Sequence, residues 1–574
     1  MKTISLFTLF ILTFFPFAIY SQWSSNPSLN STVCDTTGEQ ALVKIATTQD
    51  GGCYISWFDS RNGNYAVYLQ RLNSLGINLF PNSGLLISNN PQSTSLVDYD
   101  LAVDDSNCAV IAFTDTRNSS SINPFAYRIS PTGQFLWGTN GINLTDSINV
   151  YQANTKIILT SDENYIITWQ YGNKIAMQKI NKAGIKQWGN IPLMLIGNPA
   201  ISEKFNYPTG VKSDNGNYIL YWIGYTGSFI SPSNYKIYSQ KYSPAGAPLW
   251  SATQDTIYNL GNGNGVYQPT IYPDGNNGAI YVWQDFRTGN SNCYVQRKNS
   301  AGQILFPANG SDVAVSPFVM LRFAPAAAYM PSTQETYVFW QQKNTLQSII
   351  GVYGQKFSST GTRLWNDTGV AFKPLDQNSF SSLQAFVKDT NIIAYYDEIL
   401  FGSANCYIKA FRINRNGVFG WGGSIITPST ILSEKIRLNA TMNNNNMSML
   451  AWEDRRNDGG GIYAQNINYD GSLGAPAGIN NSIGNVPDKF TLYQNFPNPF
   501  NPVTVIRYAI PDNEHVLIKI YDLLGRELLT LINDRQNAGT YEVKFDGLAF
   551  SSGIYFYKLV TDKFTEVKSM VLVK

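Results

Sequence analysis

The stretch AIYVWQDFRTGNSNCYVQRKNSAGQILF, residues 279–306, contains most of the repeating unit that decides the fold. An apolar run ends at Trp283, a polar loop follows, and a second run leads to Gly302, with Phe306 four residues further on. Short runs rich in aromatic and β-branched residues, bounded by polar turns, are typical of antiparallel strands. Glycine suits such turns because it adopts positive φ without strain. The stretch therefore predicts consecutive strands of one small sheet.

The same pattern occurs eight times along the chain. Its anchor aromatic recurs every 53 to 61 residues, at Trp57, Phe113, Trp169, Trp222, Trp283, Trp340, Tyr396 and Trp452. In seven copies a basic residue stands five positions before a glycine, at Arg71/Gly76, Arg128/Gly133, Lys179/Gly184, Lys241/Gly246, Arg297/Gly302, Lys356/Gly361 and Arg412/Gly417. Each unit predicts four short strands, and four-strand units at this period indicate a β-propeller.

The eighth copy lacks a fourth strand, and the N-terminus supplies a spare one. QWSSNPSLNST, residues 22–32, parallels LWGTNGINLT, residues 136–145, with Trp23 in the place of Trp137. A straight solenoid would leave two exposed end strands. We therefore expect an all-β chain in which residues 22–473 form an eight-bladed β-propeller closed by the N-terminal strand.

The composition agrees with an all-β protein. The 574 residues are 43% apolar and 14% aromatic but only 14% charged, and aromatic residues favour strands. A net charge of +2 gives no electrostatic case for a nucleic-acid partner.

Residues 1–21 have the features of a secretory signal peptide: a lysine, an apolar run, and Ser21 at the expected cleavage site. A transmembrane anchor is the alternative, although Pro16 interrupts the run. No later segment has 18 consecutive apolar residues, so we expect no membrane-spanning helix in the mature chain. The five cysteines form no CxxC pair, which argues against zinc and predicts buried thiols, with a single disulfide as the alternative: Cys34, Cys53, Cys108, Cys293 and Cys406.

An Asp-x-Arg motif ends the second strand in half of the units, at Asp59/Arg61, Asp115/Arg117, Asp285/Arg287 and Asp454/Arg456. Residues two apart on a strand point to the same face, so each acid lies beside its base. A catalytic centre is a unique constellation, and we interpret the motif as a structural ion pair, worth roughly 0–1 kcal/mol if exposed. Alternatively the motif frames a binding site, since the loop after the second strand of a propeller usually lies on the ligand-binding face.

Aromatic residues in the longest of these loops are weak candidates for a stacking surface: Phe125, Phe229 and Phe401. Local packing is the alternative for all of them.

Little else in the chain suggests catalysis. His515, the only histidine, lies outside the repeats, which excludes a Ser-His-Asp triad and histidine-bound metal from the propeller. Carboxylate-pair glycoside hydrolysis remains, with Glu39, Asp98 and Asp100 as candidates near the starts of first strands, which line the channel of a propeller. A solvated or capping role is the alternative. We expect no cofactor.

The last ninety or so residues differ in composition. After GAPAGINNSIGN, residues 474–485, which reads as a linker, come the motifs NFPNPFNP, IYDLLGRELLTL, AGTYEVKFDG, SGIYFYKL and KSMVLVK. They closely resemble the C-terminal sorting domain of type IX secretion substrates from Bacteroidota-like bacteria. The resemblance covers about residues 485–574, and we place the sorting domain at residues 486–574. It implies a small immunoglobulin-like β-sandwich, passage through the periplasm, and recognition by the outer-membrane translocon. It also implies removal of the domain by a sortase-like peptidase, with the passenger attached to surface lipopolysaccharide or released.

Two functions fit this sequence. The first is a non-enzymatic secreted or cell-surface binding protein, with a glycan or protein ligand. The second is a polysaccharide-active enzyme that uses channel carboxylates. Acids that converge would favour the enzyme, whereas exposed aromatics and amides would favour binding.

Overall fold

The computed structural model describes residues 23–574 except residues 91, 93–96, 118–120, 252–254, 262, 264, 266, 458, 476–488, 496 and 537. The predicted signal peptide and most of the predicted linker lie outside the described residues. The chain divides into two compact units between Leu473 and Gly474.

The N-terminal unit is built from short strands. In chain order they are β1 (Ser31–Cys34), β2 (Gln40–Thr47), β3 (Cys53–Asp59), β4 (Ala66–Leu72), β5 (Leu85–Ser88), β6 (Asp100–Val103), β7 (Ala109–Asp115), β8 (Asn123–Ile129), β9 (Ile142–Asn143), β10 (Gln152–Leu159), β11 (Tyr165–Tyr171), β12 (Lys174–Ile180), β13 (Leu193–Leu195), β14 (Lys204–Lys212), β15 (Tyr218–Gly227), β16 (Pro232–Tyr242), β17 (Asp255–Gly261), β18 (Thr270–Pro273), β19 (Ala279–Asp285), β20 (Asn292–Lys298), β21 (Ser311–Asp312), β22 (Leu321–Met330), β23 (Glu335–Lys343), β24 (Ile350–Phe357), β25 (Val370–Asp376), β26 (Ser379–Lys388), β27 (Asn391–Ile399), β28 (Asn405–Asn414), β29 (Ile426–Met442), β30 (Ser448–Asp454) and β31 (Gly461–Ile467).

Three short 3-10 helices complete the described part of this unit: Pro199–Ile201, Asp214–Gly216 and Trp421–Gly423. Within the described chain, no helix has the length and apolar character needed to cross a membrane.

Consecutive strands pair into antiparallel sheets of four. Six such sheets are formed by β2–β5, β6–β9, β10–β13, β14–β17, β18–β21 and β22–β25. A seventh sheet has the order β1-β31-β30-β29-β28-β27-β26. Its long strand β29 pairs with β28 through its first part and with β30 through its second, so β29 belongs to two four-stranded arrays. The second array ends with β1, where Ser31 lies opposite Ala464.

The sheets and arrays pack face to face in sequence order. Each hydrophobic cluster of this unit contains side chains from two neighbouring sheets or arrays. One of these clusters joins the first sheet to the array that contains β1. The first strands of neighbouring sheets and arrays contact one another in the same order. The first strand of the first sheet, β2, also contacts β29, which supplies the first strand of the last array. The anchor tryptophans are completely buried between these faces. The repeated aromatic residues are therefore the core.

Trp23 packs in the same way as the corresponding tryptophans of other units. It is 3% exposed, and its Nε1 donates to the carbonyl of Ser74 at 3.1 Å. A Cβ on Gly76 would lie 2.5 Å from its ring. Trp137 is held likewise, with Nε1 donating to Lys182 O at 3.1 Å and its ring against Gly184.

The C-terminal unit consists of two antiparallel sheets. Its strands are β32 (Thr491–Leu492), β33 (Val503–Ile510), β34 (Glu514–Tyr521), β35 (Glu527–Gln536), β36 (Gly539–Asp546), β37 (Gly553–Val560) and β38 (Thr565–Leu572). They are arranged as β32-β33-β36 and β35-β34-β37-β38, and one hydrophobic core, which includes Ile506 and Tyr557, joins the two sheets. This unit is a small β-sandwich.

Candidate functional site

The Asp-x-Arg motif forms a dense hydrogen-bonded cluster at the end of the second strand. In the first sheet Asp59 is completely buried; its Oδ2 accepts from the indole Nε1 of Trp57 at 2.9 Å, and its Oδ1 accepts from Nε of Arg61 at 2.9 Å. The guanidinium stacks 4.0 Å above the ring of Tyr68 and donates to Ser83 O at 3.0 Å. Although burial alone would raise it, these hydrogen bonds from Arg61 and Trp57 lower the pKa of Asp59.

The other three motifs repeat this geometry. Each carboxylate is completely buried and bound by its arginine, whose guanidinium lies 3.5 to 3.7 Å from an aromatic ring of the third strand. The acid, base and ring are Asp115, Arg117 and Phe125; Asp285, Arg287 and Tyr294; and Asp454, Arg456 and Tyr463. The value of 0–1 kcal/mol for an exposed pair therefore does not apply to these motifs.

The three candidate aromatic residues have different environments. Phe125 is 3% exposed and lies under the guanidinium of Arg117, so it offers no stacking surface. Phe229 is partly buried against Tyr207 and Tyr225, with ring centroids 5.4 and 5.8 Å away. Phe401 is 67% exposed and free to contact a ligand. Of the three, only Phe401 has a widely open face.

Asp98 is held between two lysines of neighbouring first strands. Its Oδ1 lies 2.7 Å from Nζ of Lys44 in β2, and its Oδ2 lies 2.5 Å from Nζ of Lys156 in β10. Burial alone would raise the pKa of this carboxyl, but Lys156 and Lys44 hold it well below the ordinary value. Asp98 therefore stays ionised across the physiological range and joins three neighbouring units.

Asp100 and Glu39 have other partners. Asp100 Oδ2 accepts from the backbone N of Ile157 at 2.9 Å, and burial raises the pKa of its carboxyl. Glu39 accepts a short hydrogen bond from Tyr65 Oη and lies 3.9 Å from the guanidinium of Arg455. Asp98 and Asp100 thus lie in one charged cluster, whereas the partners of Glu39 belong to a different one.

The described residues contain no group of three or more His, Cys, Asp or Glu side chains placed to hold a metal ion. All five cysteines are buried and free. Burial raises the pKa of Cys34 to about 11, so this thiol is not an activated nucleophile.

A glutamine in the third strand hydrogen-bonds the backbone of a neighbouring segment in several units. The sequence analysis did not predict this role. Gln240 Nε2 donates to Ser251 O at 3.0 Å, and its Oε1 accepts from Trp250 N at 3.0 Å. Gln465 Nε2 donates in the same way to Ser24 O at 2.8 Å, next to Trp23. The sequence contained the signal, a glutamine just before the basic residue, in Gln70, Gln178, Gln240, Gln296 and Gln355. In the eighth copy Gln465 stands before Asn466, which replaces the basic residue.

The repeated basic residue also has a fixed partner that was not predicted. In six of the seven copies it pairs with an acid near the turn between the first and second strands, as in Arg128/Asp104 at 2.7 Å and Lys179/Asp162 at 2.8 Å. A cavity of about 360 Å³ lies at that turn, lined by Asp104, Asp105, Glu163 and other residues. None of the catalytic candidates lines it.

The motifs of the C-terminal unit have clear structural roles. Asn495 is 2% exposed, and its Nδ2 donates to Pro497 O at 3.1 Å and to Thr504 Oγ1 at 2.9 Å. Phe500 is buried, and its backbone N donates to Val571 O at 2.9 Å. The proline-rich motif is thus bound to the last strand of the chain.

Residues 494–574 match the family described as secretion system C-terminal sorting domain. The chain carries a type IX sorting domain. This match supports a type IX secretion substrate, and the domain implies a secreted or cell-surface location. No curated protein matches the chain.

Solved structures similar to the chain are distant. The type IX secretion surface component PorZ of Porphyromonas gingivalis is 13% identical, with a TM-score of 0.41, over 93% of this chain and 70% of that one. An α-L-arabinanase of Penicillium chrysogenum, complexed with arabinobiose, is 12% identical, with a TM-score of 0.31, over 57% and 96%. Prolyl oligopeptidase B of Galerina marginata is 12% identical, with a TM-score of 0.39, over 73% and 55%. Because all three TM-scores are below 0.5, these similarities do not indicate a function for this chain.

Proposed function

We propose that residues 22–473 form a closed eight-bladed β-propeller that binds a glycan or protein ligand outside the cell without catalysing a reaction. Support for closure comes from the pairing of β1 with β31 and from the cluster that joins Trp23 and Val33 to the first sheet. A closed ring leaves no first or last sheet face exposed, which agrees with the burial of Trp23.

The observation that favours binding over catalysis is the state of the acidic candidates. A general acid needs a pKa near the working pH, whereas Asp98 is bridged by Lys44 and Lys156 and has a lowered pKa. Glu39 is engaged by Tyr65. In this interpretation Asp98 joins neighbouring first strands, and the Asp-x-Arg motifs stabilise the loops that carry the binding surface.

Exposed aromatics provide the candidate surface. Phe401 is 67% exposed in the loop between β27 and β28, and Phe318 is 76% exposed between β21 and β22. Tyr151 and Tyr267, each just before a first strand, are 54% and 41% exposed. Aromatic faces of this kind stack on sugar rings and on apolar side chains.

A polysaccharide-active enzyme is the second candidate, and one observation favours it. Burial raises the pKa of Asp100, which is the direction that a general acid requires. In that mechanism the ionised Asp98 would be its partner carboxylate.

A glycan array and a polysaccharide hydrolysis screen on the purified secreted protein separate the candidates. We expect saturable binding to at least one ligand and no products of hydrolysis. Binding should be weakened by Phe401→Ala and retained in Asp100→Asn. Hydrolysis that Asp100→Asn reduces by 10²–10⁴-fold would establish the enzyme instead.

For the C-terminal unit we propose an immunoglobulin-like sorting domain, residues 486–574, joined by the linker 474–485. Its partners would be the type IX translocon and a sortase-like peptidase, and surface lipopolysaccharide would anchor the passenger if it is not released. Residues 1–21 would direct the chain to the periplasm first. The sandwich of two sheets supports this assignment.

A further inference from the structure

Arg322, the second residue of β22, is a buried cation that interacts with the carboxylate of Asp312 only from a distance. The residue is 5% exposed, and its Nη1 donates to Asn292 Oδ1 at 3.1 Å. Its Nε and Nη2 have no hydrogen-bond partner. Among the described residues no carboxylate lies within 4.0 Å of its guanidinium. Buried polar groups are normally satisfied, and an unpaired buried cation is costly.

Equivalent positions in other units are better satisfied. Each lies two residues before a residue with positive φ in the first strand: Arg322 before Ala324, Gln152 before Asn154 and Lys435 before Arg437. Lys435 Nζ donates to Cys406 O, Ile431 O and Ser433 Oγ. Gln152 Oε1 accepts from Trp169 Nε1 at 2.8 Å, and its Nε2 donates to Ile122 O at 3.3 Å. At a further equivalent position, Gln40 before Leu42, Nε2 donates to Thr36 O at 3.2 Å but Oε1 has no partner. Among these positions, Arg322 is the one that combines a positive charge with unpaired donors.

A cavity of about 160 Å³ adjoins Arg322. Its lining includes Thr288, Asn290 and Ser316, whose hydroxyl and amide groups can bind a polar ligand, and Phe318, whose ring is 76% exposed. The loop 288–292 follows directly after the Asp285/Arg287 motif, which fixes its start. The cavity thus combines a guanidinium, neutral hydrogen-bonding groups and an aromatic face.

We propose that this cavity binds one carboxylate-bearing sugar residue, with the guanidinium of Arg322 as the partner of the carboxylate. The proposal rests on the proposed binding function and names its ligand class. A guanidinium presents a planar fork that matches a carboxylate. Hydroxyls and amides suit the sugar hydroxyls, and the volume is below the roughly 300–1,000 Å³ of a drug-sized site, which suits a single ring. Because Nε and Nη2 are buried from solvent, the proposal requires the guanidinium to turn toward the cavity on binding.

Titration calorimetry of the full secreted protein tests the proposal with glucuronate, and with glucose, acetate and sulfate for comparison. We expect saturable binding of glucuronate, weaker binding of acetate and none of glucose. Equal binding of sulfate, acetate and glucuronate would indicate an adventitious anion site and overturn the assignment. Absence of saturable glucuronate binding would overturn it as well.

Arg322→Gln is the matched variant, because glutamine occupies the equivalent Gln152 position. We expect it to weaken glucuronate binding at least tenfold without lowering the melting temperature. Lys435→Gln is the control and should keep the affinity. Asn290→Trp fills the exposed mouth of the cavity and should weaken binding even if Arg322→Gln folds poorly.

The two proposals fail in different ways. A glycan-array signal confined to neutral sugars, and unchanged in Arg322→Gln, would overturn this inference and leave the proposed binding function in place. Loss of all array binding in the unmodified protein would contradict the proposed function itself.

Discussion

Asp59 illustrates how the repeated motif buries a carboxylate in a strand end. The carboxylate accepts hydrogen bonds from an indole, a guanidinium and a backbone amide, so its lone pairs are satisfied without water. The guanidinium is itself held by the ring of Tyr68 and by Ser83 O. Removal of one member would leave buried donors or acceptors unpaired, which is more costly than loss of an exposed pair.

Asp59→Ala is therefore expected to destabilise the protein by about 3–5 kcal/mol, the cost of breaking a buried pair. In a double-mutant cycle with Arg61→Ala, measured by denaturant unfolding, we expect a coupling energy of about 1–3 kcal/mol. The more exposed pair Arg363/Asp367 is the control, where the coupling should be about 0–1 kcal/mol. Equal coupling in both pairs would contradict the structural role of the motif.

Asp397 is a buried carboxylate that makes no ion pair with any residue that the structure describes. It accepts hydrogen bonds from Ser381 N at 2.9 Å and Ser381 Oγ at 2.7 Å, and burial raises its pKa to about 6. Since the folded pKa lies above the unfolded value, the stability that Asp397 contributes is present near pH 4 and is lost as pH rises through 6. Asp397→Asn should therefore be more stable than the parent at pH 7, by about 2–4 kcal/mol, and nearly equal to it near pH 4.

Unfolding measured from pH 4 to pH 7.5 on parent and variant tests this prediction. The free energies of unfolding of the two proteins are compared at each pH, because other groups that titrate in the same range affect both proteins equally. A constant difference for Asp397→Asn across the range would show that burial does not raise the pKa of this group.

At the scale of the element, the N-terminal segment is held by side chains as well as by strand pairing. Asn30 Nδ2 donates to Pro428 O at 3.1 Å, and Asn30 Oδ1 accepts from Ser429 Oγ at 2.6 Å. Thr430 N donates to Pro27 O at 3.0 Å. These bonds join residues about 400 positions apart in sequence, so they fix residues 27–30 to the first part of β29, the part that pairs with β28.

Trp23→Ala should lower the free energy of unfolding by about 3–5 kcal/mol, because a large buried side chain is replaced by a cavity. Deletion of residues 22–32 should cost more, since it also removes Asn30 and the acceptor of Gln465. Leu29→Ala is the control, because Leu29 is 63% exposed. Unchanged denaturant unfolding of both altered proteins would contradict closure by the N-terminal strand.

The sequence predicts the strands and turns wherever the same type of residue recurs at the same place in each unit for the same physical reason. The anchor aromatics, the turn glycines and the position of Trp23 follow from the repeat alone, since burial between sheets and positive φ restrict the choice of residue. Partners contributed by another strand were not predictable. The sequence does not reveal that Gln240 reaches the backbone of Trp250 and Ser251, that Asp98 lies between two lysines, or that one strand, β29, serves two arrays. Each depends on distances that only the folded chain defines.

At the scale of the whole molecule, the chain separates a repeat unit from a sorting unit. No hydrophobic cluster of the described residues contains side chains from both units. Each unit thus has its own core, and the repeat unit should not need the sorting unit in order to fold.

Deletion of residues 486–574 should therefore leave a folded N-terminal unit that is no longer exported. In a host with a type IX system, we expect the shortened protein in the periplasmic fraction, with the thermal transition of the repeat unit retained. The physical reason is that the deletion removes the domain matched at residues 494–574 while the cores of the repeat unit stay intact. Phe500→Ala tests the same point with one substitution, since this buried ring belongs to the hydrophobic core of the C-terminal unit. Efficient surface display of the deleted protein would overturn the sorting role, whereas its unfolding in the periplasm would overturn the independence of the two units.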